Sequence, residues 1–298
     1  MSDKFNLITG LRVESTDVEY SDNNQFTAQS DDTLIGGKLV LEYDTDEFGL
    51  LYAGVHRGYK LGGFNPDQRI TNEQRLFEAE YNWNYEAGMK RFMLDNRLFV
   101  ALSAFYMDRK NTHISDFTTI AIEDTGATSF VDVIANADVG ENYGLEFQSN
   151  YQVNDNLRIF ANLGLLRAKF EGYTNAKGEF IAEQDQAQAP DYTFNVGVEM
   201  YLTDDLRLHI EADGKDEYRF SDGHDELSRS HVLWHAKAYY QMGDWLLSVW
   251  GKNLFDKAYF VRGFGGFSND PRDFYETPEP YYQIGDGRQI GATIEYNF

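Results

Sequence analysis

Alternation is the feature that most constrains this chain. Nearly every segment alternates apolar and polar side chains with period two, and almost none shows helical spacing. In "NYGLEFQSNYQ", Tyr143, Leu145, Phe147 and Tyr151 share one face, opposite Gly144, Glu146, Gln148 and Asn150. "DYTFNVGVEMYL" sets Tyr192, Phe194, Val196, Val198, Met200 and Leu202 against Thr193, Asn195, Gly197, Glu199 and Tyr201. "DLRLHIEAD" and the terminal "QIGATIEYNF" divide in the same way. A chain with this pattern is all-β.

The pattern predicts about twelve strands, beginning near Phe5, Thr33, Gly49, Glu80, Arg97, Asp138, Leu157, Pro190, Leu206, Arg229, Trp245 and Gly287. Many run to roughly ten or more residues, against about five or six in a soluble strand, and about 9 to 11 tilted residues cross a bilayer. Short polar turns at residues 43–49, 94–97, 153–156, 203–205 and 242–244 join one class of neighbours. Longer loops at residues 16–32, 61–79, 116–137, 172–189, 216–228 and 260–285 join the other. Short turns on one rim and long loops on the other predict a transmembrane antiparallel up-and-down β-barrel.

Two other all-β arrangements compete. A soluble sandwich or jelly roll seals its apolar faces inside and favours aliphatic side chains there. Here the apolar face places Trp83, Tyr85, Tyr106, Tyr151, Trp234, Tyr240 and Trp245 near strand ends, where membrane girdles sit. A passive pore of about twelve strands closed on itself is the second rival, roughly 24 Å across. No apolar run approaches the about 18 residues of a membrane helix.

Composition excludes several functions. Lys plus Arg is 26 and Asp plus Glu is 49, a formal charge of −23, which repels nucleic acid. The chain has no Cys, which removes thiol catalysis and disulfides. The six histidines, His56, His113, His209, His224, His231 and His235, show no metal-protease spacing. Carboxylates facing the lumen, Glu86, Glu146, Glu199, Glu211 and Glu295, are spread as a hydrated lining would be rather than paired for acid–base work. The reading is therefore no enzyme, no catalytic residues and no cofactor. In the acidic loop Asp213–Glu226, Asp216, Glu217, Asp222, Asp225 and Glu226 are candidate oxygen donors for Ca²⁺, although the spacing is not an EF-hand. "HRGYKLGGFNPD" (His56–Asp67) is glycine-rich, but no helix follows to cradle phosphate.

Four stretches together resemble one family: "LYAGVHRGYKLGGFNP", "NYEAGMKRFMLDNRLFVALSAFYMDRKN", "ENYGLEFQSNYQVNDNLRIFANLGLLRAKF", and "WLLSVWGKNLFDKAYF" with the terminal "GRQIGATIEYNF". In order and spacing the chain, residues 1–298 as one domain, resembles the C-terminal part of the β-barrel of TonB-dependent outer-membrane receptors. The resemblance implies the outer membrane of a Gram-negative bacterium, and uptake of a scarce nutrient such as a ferric siderophore, cobalamin or oligosaccharide. It implies as partners outer-membrane lipid, the assembly machinery and a small-molecule ligand of unknown identity. Ile294, Tyr296 and Phe298 resemble the C-terminal signal that machinery reads. Tyr59, Lys60, Phe64, Arg69, Arg262, Phe264, Phe267 and Arg272, in the external loops, are the candidate ligand contacts.

The chain departs from the family's pattern as well. Complete receptors have a signal peptide, a TonB box, a plug and twenty-two strands, whereas "MSDKFNLITG" leads directly into a barrel strand. The expectation is an incomplete receptor, from a truncated or split gene or a fragment. Plug and N-terminal strands are then partners to be supplied, and TonB is reached only through that missing region.

Overall fold

The computed structural model describes residues 4–121, 128–175, 178–267, 272, 274 and 279–298, with the side chains of residues 118–121, 128, 130, 266 and 267 outside that description. Twelve strands build the wall: β1 (Phe5–Ser21), β2 (Thr27–Thr45), β3 (Gly49–Lys60), β4 (Glu80–Met93), β5 (Leu98–Ala121), β6 (Thr128–Asn154), β7 (Leu157–Thr174), β8 (Tyr192–Tyr201), β9 (Leu206–Lys215), β10 (His231–Met242), β11 (Trp245–Lys252) and β12 (Gln289–Tyr296). Each pairs antiparallel with the next in chain order, and Phe180–Asp185 adds a thirteenth strand on β7. Such nearest-neighbour connectivity follows from the turns: at the inner rim the chain reverses within a few polar residues, so a strand can only meet its successor.

The two faces divide as the alternation dictates. Leu11, Val13, Ile35, Leu102, Leu145, Leu163, Val249 and Ile294 all point outward and are exposed, Leu11 to 79%. A soluble sandwich would have sealed them, so that alternative is overturned. Aromatic pairs mark the inner rim, Phe5 stacking on Tyr43 at 4.4 Å and Trp245 lying 4.7 Å from Tyr296. Trp83, Tyr85, Tyr106 and Tyr143 are exposed on the outward face nearer the other rim. Amphipathic rings at both levels anchor a wall in a bilayer.

Glycines shape the lumen face. A Cβ added to Gly88 would stand 2.6 Å from the ring of Tyr52 on the neighbouring strand and 2.7 Å from the Leu102 carbonyl. Phe105 lies over Gly144, Phe160 over Gly197 and Trp250 over Gly291 in the same manner. Each large inward ring lies flat across the neighbouring strand because the residue beside it has no side chain.

Beyond the bilayer the strands run further than alternation alone indicates. The expected loop at 16–32 is ladder almost throughout, since β1 and β2 stay in register from Phe5↔Tyr43 to Ser21↔Thr27. The expected loop at 116–137 is the same: β5 and β6 remain paired as far as Ala121↔Thr128. In water a hairpin needs no apolar face to satisfy its backbone, so polar residues such as Asp17, Glu19, Asp31 and Asp32 continue a strand whose amphipathic signature has faded.

The tightest packing lies in these extensions. Ile114, Ala137, Phe170 and Tyr173 form one buried cluster, and Ile70, Val131 and Val133 another. The chain at 61–79 is held between them and the β1–β2 tip by Arg75, which is 3% exposed. Its guanidinium donates to Asp22 at 2.7 Å and to Tyr20 Oη at 3.1 Å, and lies 3.9 Å over the Phe26 ring. Buried Asn65 pairs its amide with the backbone of Ile134, donating at 2.8 Å and accepting at 2.9 Å. Burial raises the Asp22 carboxyl, but hydrogen bonds from Arg75 and from the Phe26 and Asn24 amides outweigh it and hold the group below its usual range. The clamp is therefore intact at neutral pH and is lost only as acid titrates Asp22 below that range.

Among the described residues, β1 and β12 each pair on one side only. The passive pore of twelve strands closed on itself is thereby corrected: the wall is an open, curved run of barrel. Two outcomes are expected from this packing. Arg75→Met accelerates protease cleavage within 61–79 about tenfold while the membrane-embedded wall keeps its resistance. Gly291→Val costs about 1–3 kcal/mol by pressing on Trp250, and the loss shrinks in a Trp250→Ala background, as urea unfolding in vesicles would read.

Candidate functional site

The lumen wall is a polar lattice. Tyr52 Oη donates to Glu86 at 2.7 Å and Ser103 lies 3.5 Å from Glu146, joining β3 through β6. With Gln148, Asn162, Thr193 and Asn195 they line a concavity of about 720 Å³. Farther round, Glu199 accepts from Arg158 at 2.6 Å and Arg207 at 3.0 Å, and the Arg207 guanidinium lies 4.1 Å over Tyr239. His235 bonds Asp213 at 2.7 Å. Alternation explains the placement, because every one of these residues has the lumen parity of its strand. His231, at the outer end of its strand, is buried, bonded to the Arg229 carbonyl at 3.0 Å and 4.7 Å from the Tyr259 ring.

Above the wall the external segments interlock into two groups. In the first, Gly63–Phe64 pairs with Leu76–Phe77, and a 3-10 turn at Glu73–Arg75 delivers the Arg75 clamp. Tyr59 donates to Glu14 at 2.9 Å, Lys60 meets Glu80 at 3.4 Å and Phe64 stacks on Tyr20 at 5.4 Å. Arg69 bonds Asp67 at 2.6 Å and Ser129 at 2.7 Å. Hydrogen bonds from Arg69 draw the Asp67 carboxyl down to about 2. These four candidate contacts are thus engaged within the protein, and "GYKLGGFNP" serves as a bend: a Cβ at Gly62 would sit 2.6 Å from the Phe77 carbonyl.

In the second group, a hairpin of Phe260–Phe267 and Glu279–Ile284 lies against loop 216–228. Tyr282 stacks on Phe260 at 4.5 Å and bonds Glu226, and Phe220 fills the space beside Gly263. Phe264 is 49% exposed, paired in register with Tyr281, and Arg262 lies 5.0 Å over its ring. Arg262 and Phe264 are therefore the candidate contacts that face outward at the mouth. Arg272 is exposed, and the Phe267 side chain lies outside the described residues.

The five candidate calcium donors do not converge. Asp216 accepts from the Glu217 amide, Asp222 from the Ala187 amide at 2.7 Å, Asp225 pairs with Arg219, and Glu226 accepts from Tyr282. Among the described residues no group of three or more His, Cys, Asp or Glu is arranged to hold a metal ion. Ile294, Tyr296 and Phe298 stand exposed on the outward face of the last strand and the tail beyond it. Sequence reasoning missed the Arg75 clamp, which sits in an aperiodic stretch without any signal. It missed Asp116 too, where a signal exists: a carboxylate on the face of buried Thr112 and Ile114.

Residues 1–254 match the family model described as TonB dependent receptor-like, beta-barrel. Solved structures with the same architecture include the ferric yersiniabactin uptake receptor FyuA from Yersinia pestis, at 19% identity and a TM-score of 0.76 over 100% of this chain and 44% of that one. The siderophore receptor PiuA from Acinetobacter baumannii matches at 17% identity and TM-score 0.71, over 98% of this chain and 40% of that one. The copper transporter OprC matches at 16% identity and TM-score 0.76, over 100% of this chain and 46% of that one. The chain thus spans less than half the length of each. A family match over most of its length, on a wall of antiparallel strands with a lipid-ready exterior and polar lumen, means that this chain belongs to the TonB-dependent receptors, as part of their β-barrel.

Proposed function

We propose that residues 1–298 form one barrel segment, the C-terminal wall and part of the outer mouth of a receptor in the outer membrane of a Gram-negative bacterium. Complete with plug and remaining strands, that receptor imports a scarce nutrient using energy delivered through TonB. The observation that carries the reading is the open wall itself, apolar outside, polar inside and unpaired at β1 and β12. Unpaired backbone in hydrocarbon costs several kcal/mol per group, so the wall works as part of a closed barrel whose other strands pair with those edges.

A ferric siderophore is the ligand class we favour, since FyuA and PiuA are by name receptors for such compounds. OprC, a copper transporter, has the same wall, so fold alone leaves cobalamin and oligosaccharide to be tested alongside. On this segment Arg262 and Phe264 are the contacts: a cation over an exposed ring presents charge and a flat apolar surface to an anionic chelate. Tyr59, Lys60, Phe64 and Arg69 act indirectly by fixing the shape of the mouth. Lipid and the assembly machinery meet the outward face, the latter through Ile294, Tyr296 and Phe298.

Ligand binding by the complete receptor in outer-membrane vesicles tests this, with ferric siderophores, cobalamin and maltodextrins as probes. Arg262→Ala with Phe264→Ala is expected to weaken capture of a ferric siderophore about tenfold or more without lowering the amount of receptor in the membrane. Unchanged affinity removes the two residues from the site, and absence of binding by any probe sinks the uptake reading. Phe298→Ser is expected to lower the assembled, heat-resistant fraction several-fold, and equal assembly would dismiss the terminal signal.

A further inference from the structure

Two acidic residues lie near each other where loop 216–228 crosses the outer wall. Asp116, on the extension of β5, is 6% exposed and accepts from the Tyr173 hydroxyl of β7 at 2.6 Å and from the Phe117 amide at 2.7 Å. Tyr173 is 1% exposed and packs with Ile114, Ala137 and Phe170. Loop residue Gly223 sits directly on Asp116, with no room for a side chain between them. Its neighbour Asp222 is half-buried and accepts from the Ala187 amide at 2.7 Å, while Gln184 donates to the Asp222 carbonyl at 2.9 Å and Gln188 to the Phe220 carbonyl at 2.9 Å. Two like charges side by side against a dry cluster repel, and one bound proton removes the repulsion.

We infer that loop 216–228 is latched to the outer wall through a proton-dependent contact at Asp222 and Gly223, beside the Asp116–Tyr173 pair, which tightens as the surrounding medium becomes acidic. Burial raises the Asp222 carboxyl above its ordinary 3.8, and the Asp116 charge adds to this against the amides of Ala187 and Ser115 and the charge of Arg219. Burial and the two carboxylates push the Tyr173 phenol up, so it stays a donor throughout. A carboxyl raised in the docked state holds its proton more tightly there than in the free loop. Docking therefore gains as pH falls through the raised value, and loses that gain as pH climbs past it.

The other charged groups at this contact are Arg219, already paired with Asp225, and His224, beside Phe117 and the Gly263–Gly265 strand. Burial lowers His224 below its ordinary 6.5. It acts with the opposite sign: its share of docking is present above 6.5 and is lost as pH falls through the lowered value.

The chain contains no Cys, so spin labels at Ala182→Cys and Glu217→Cys report the separation of loop and wall uniquely. In the full chain in detergent, lowering pH from 8 to about 4, close to the ordinary 3.8 of Asp222, should raise the docked fraction relative to the free one about threefold or more. Asp222→Asn keeps the oxygen that Ala187 needs and should abolish that response, leaving the loop docked at both pH values. His224→Gln should steepen it. Asp116→Asn, which removes the like charge, should shrink it, and provides the comparison if Asp222→Asn does not fold. In unlabelled protein, hydrogen exchange at the Ala187 amide, corrected for intrinsic rates, should follow the same profile. A pH-independent distance in the parent, or an Asp222→Asn profile identical to it, overturns the latch.

Discussion

The structure depends on one constraint, that backbone amides and carbonyls inside hydrocarbon have no water to bond. It explains why the strands run in unbroken register, from Leu98↔Tyr151 up through Lys110↔Val139 without interruption in the membrane-spanning part of β5 and β6. It explains the wall's topology as well, because a nearest-neighbour ladder leaves only its two outermost strands with unpaired groups. Those strands differ: β1 has 17 residues and β12 has 8. Among the described residues the wall therefore ends in a long edge on one side and a short one on the other.

Satisfying the ladder leaves the side chains free to serve two solvents, and the glycines show how the inner one is arranged. A lumen face made only of large polar side chains would leave rings such as Tyr52 and Trp250 standing into the water. Gly88 and Gly291 beside them let each ring lie along the wall instead, burying one ring face on backbone. Ion pairs such as Arg158–Glu199–Arg207 fill the spaces between. Individual carboxylates are thus balanced by neighbouring guanidinium groups where the lumen is crowded.

How much of this could be read from sequence follows from where each solvent acts. Lipid on one side and water on the other impose period two, so strand number and order, and the faces of residues such as Tyr143 and Glu146, were legible. The hairpins above the bilayer were not. There, both faces meet water or other loops, apolar residues such as Val18 and Ala28 are scattered among Asp17, Glu19, Asp31 and Asp32, and a true strand looks like a loop. The candidate contacts divided for the same reason. Tyr59, Lys60, Phe64 and Arg69 have the composition of a binding loop, yet their partners Glu14, Glu80, Tyr20 and Ser129 lie far away in the chain. Composition cannot distinguish a side chain offered to a ligand from one already occupied.

The division between membrane and water also decides where this protein keeps a core. Between the rims a wall one strand thick buries few side chains, Glu199, Ala212 and Ser248 among them, since each outward residue meets lipid. Fully enclosed apolar side chains such as Ile114 and Phe170 occur instead in the extensions outside. The mouth therefore has a packing density of its own, held by Arg75 on one side and by the Asp116–Tyr173 contact on the other. In the receptor proposed above, a mouth built as interlocked blocks on a rigid ladder would present a ligand with preformed surfaces and lower the ordering cost of capture compared with free loops.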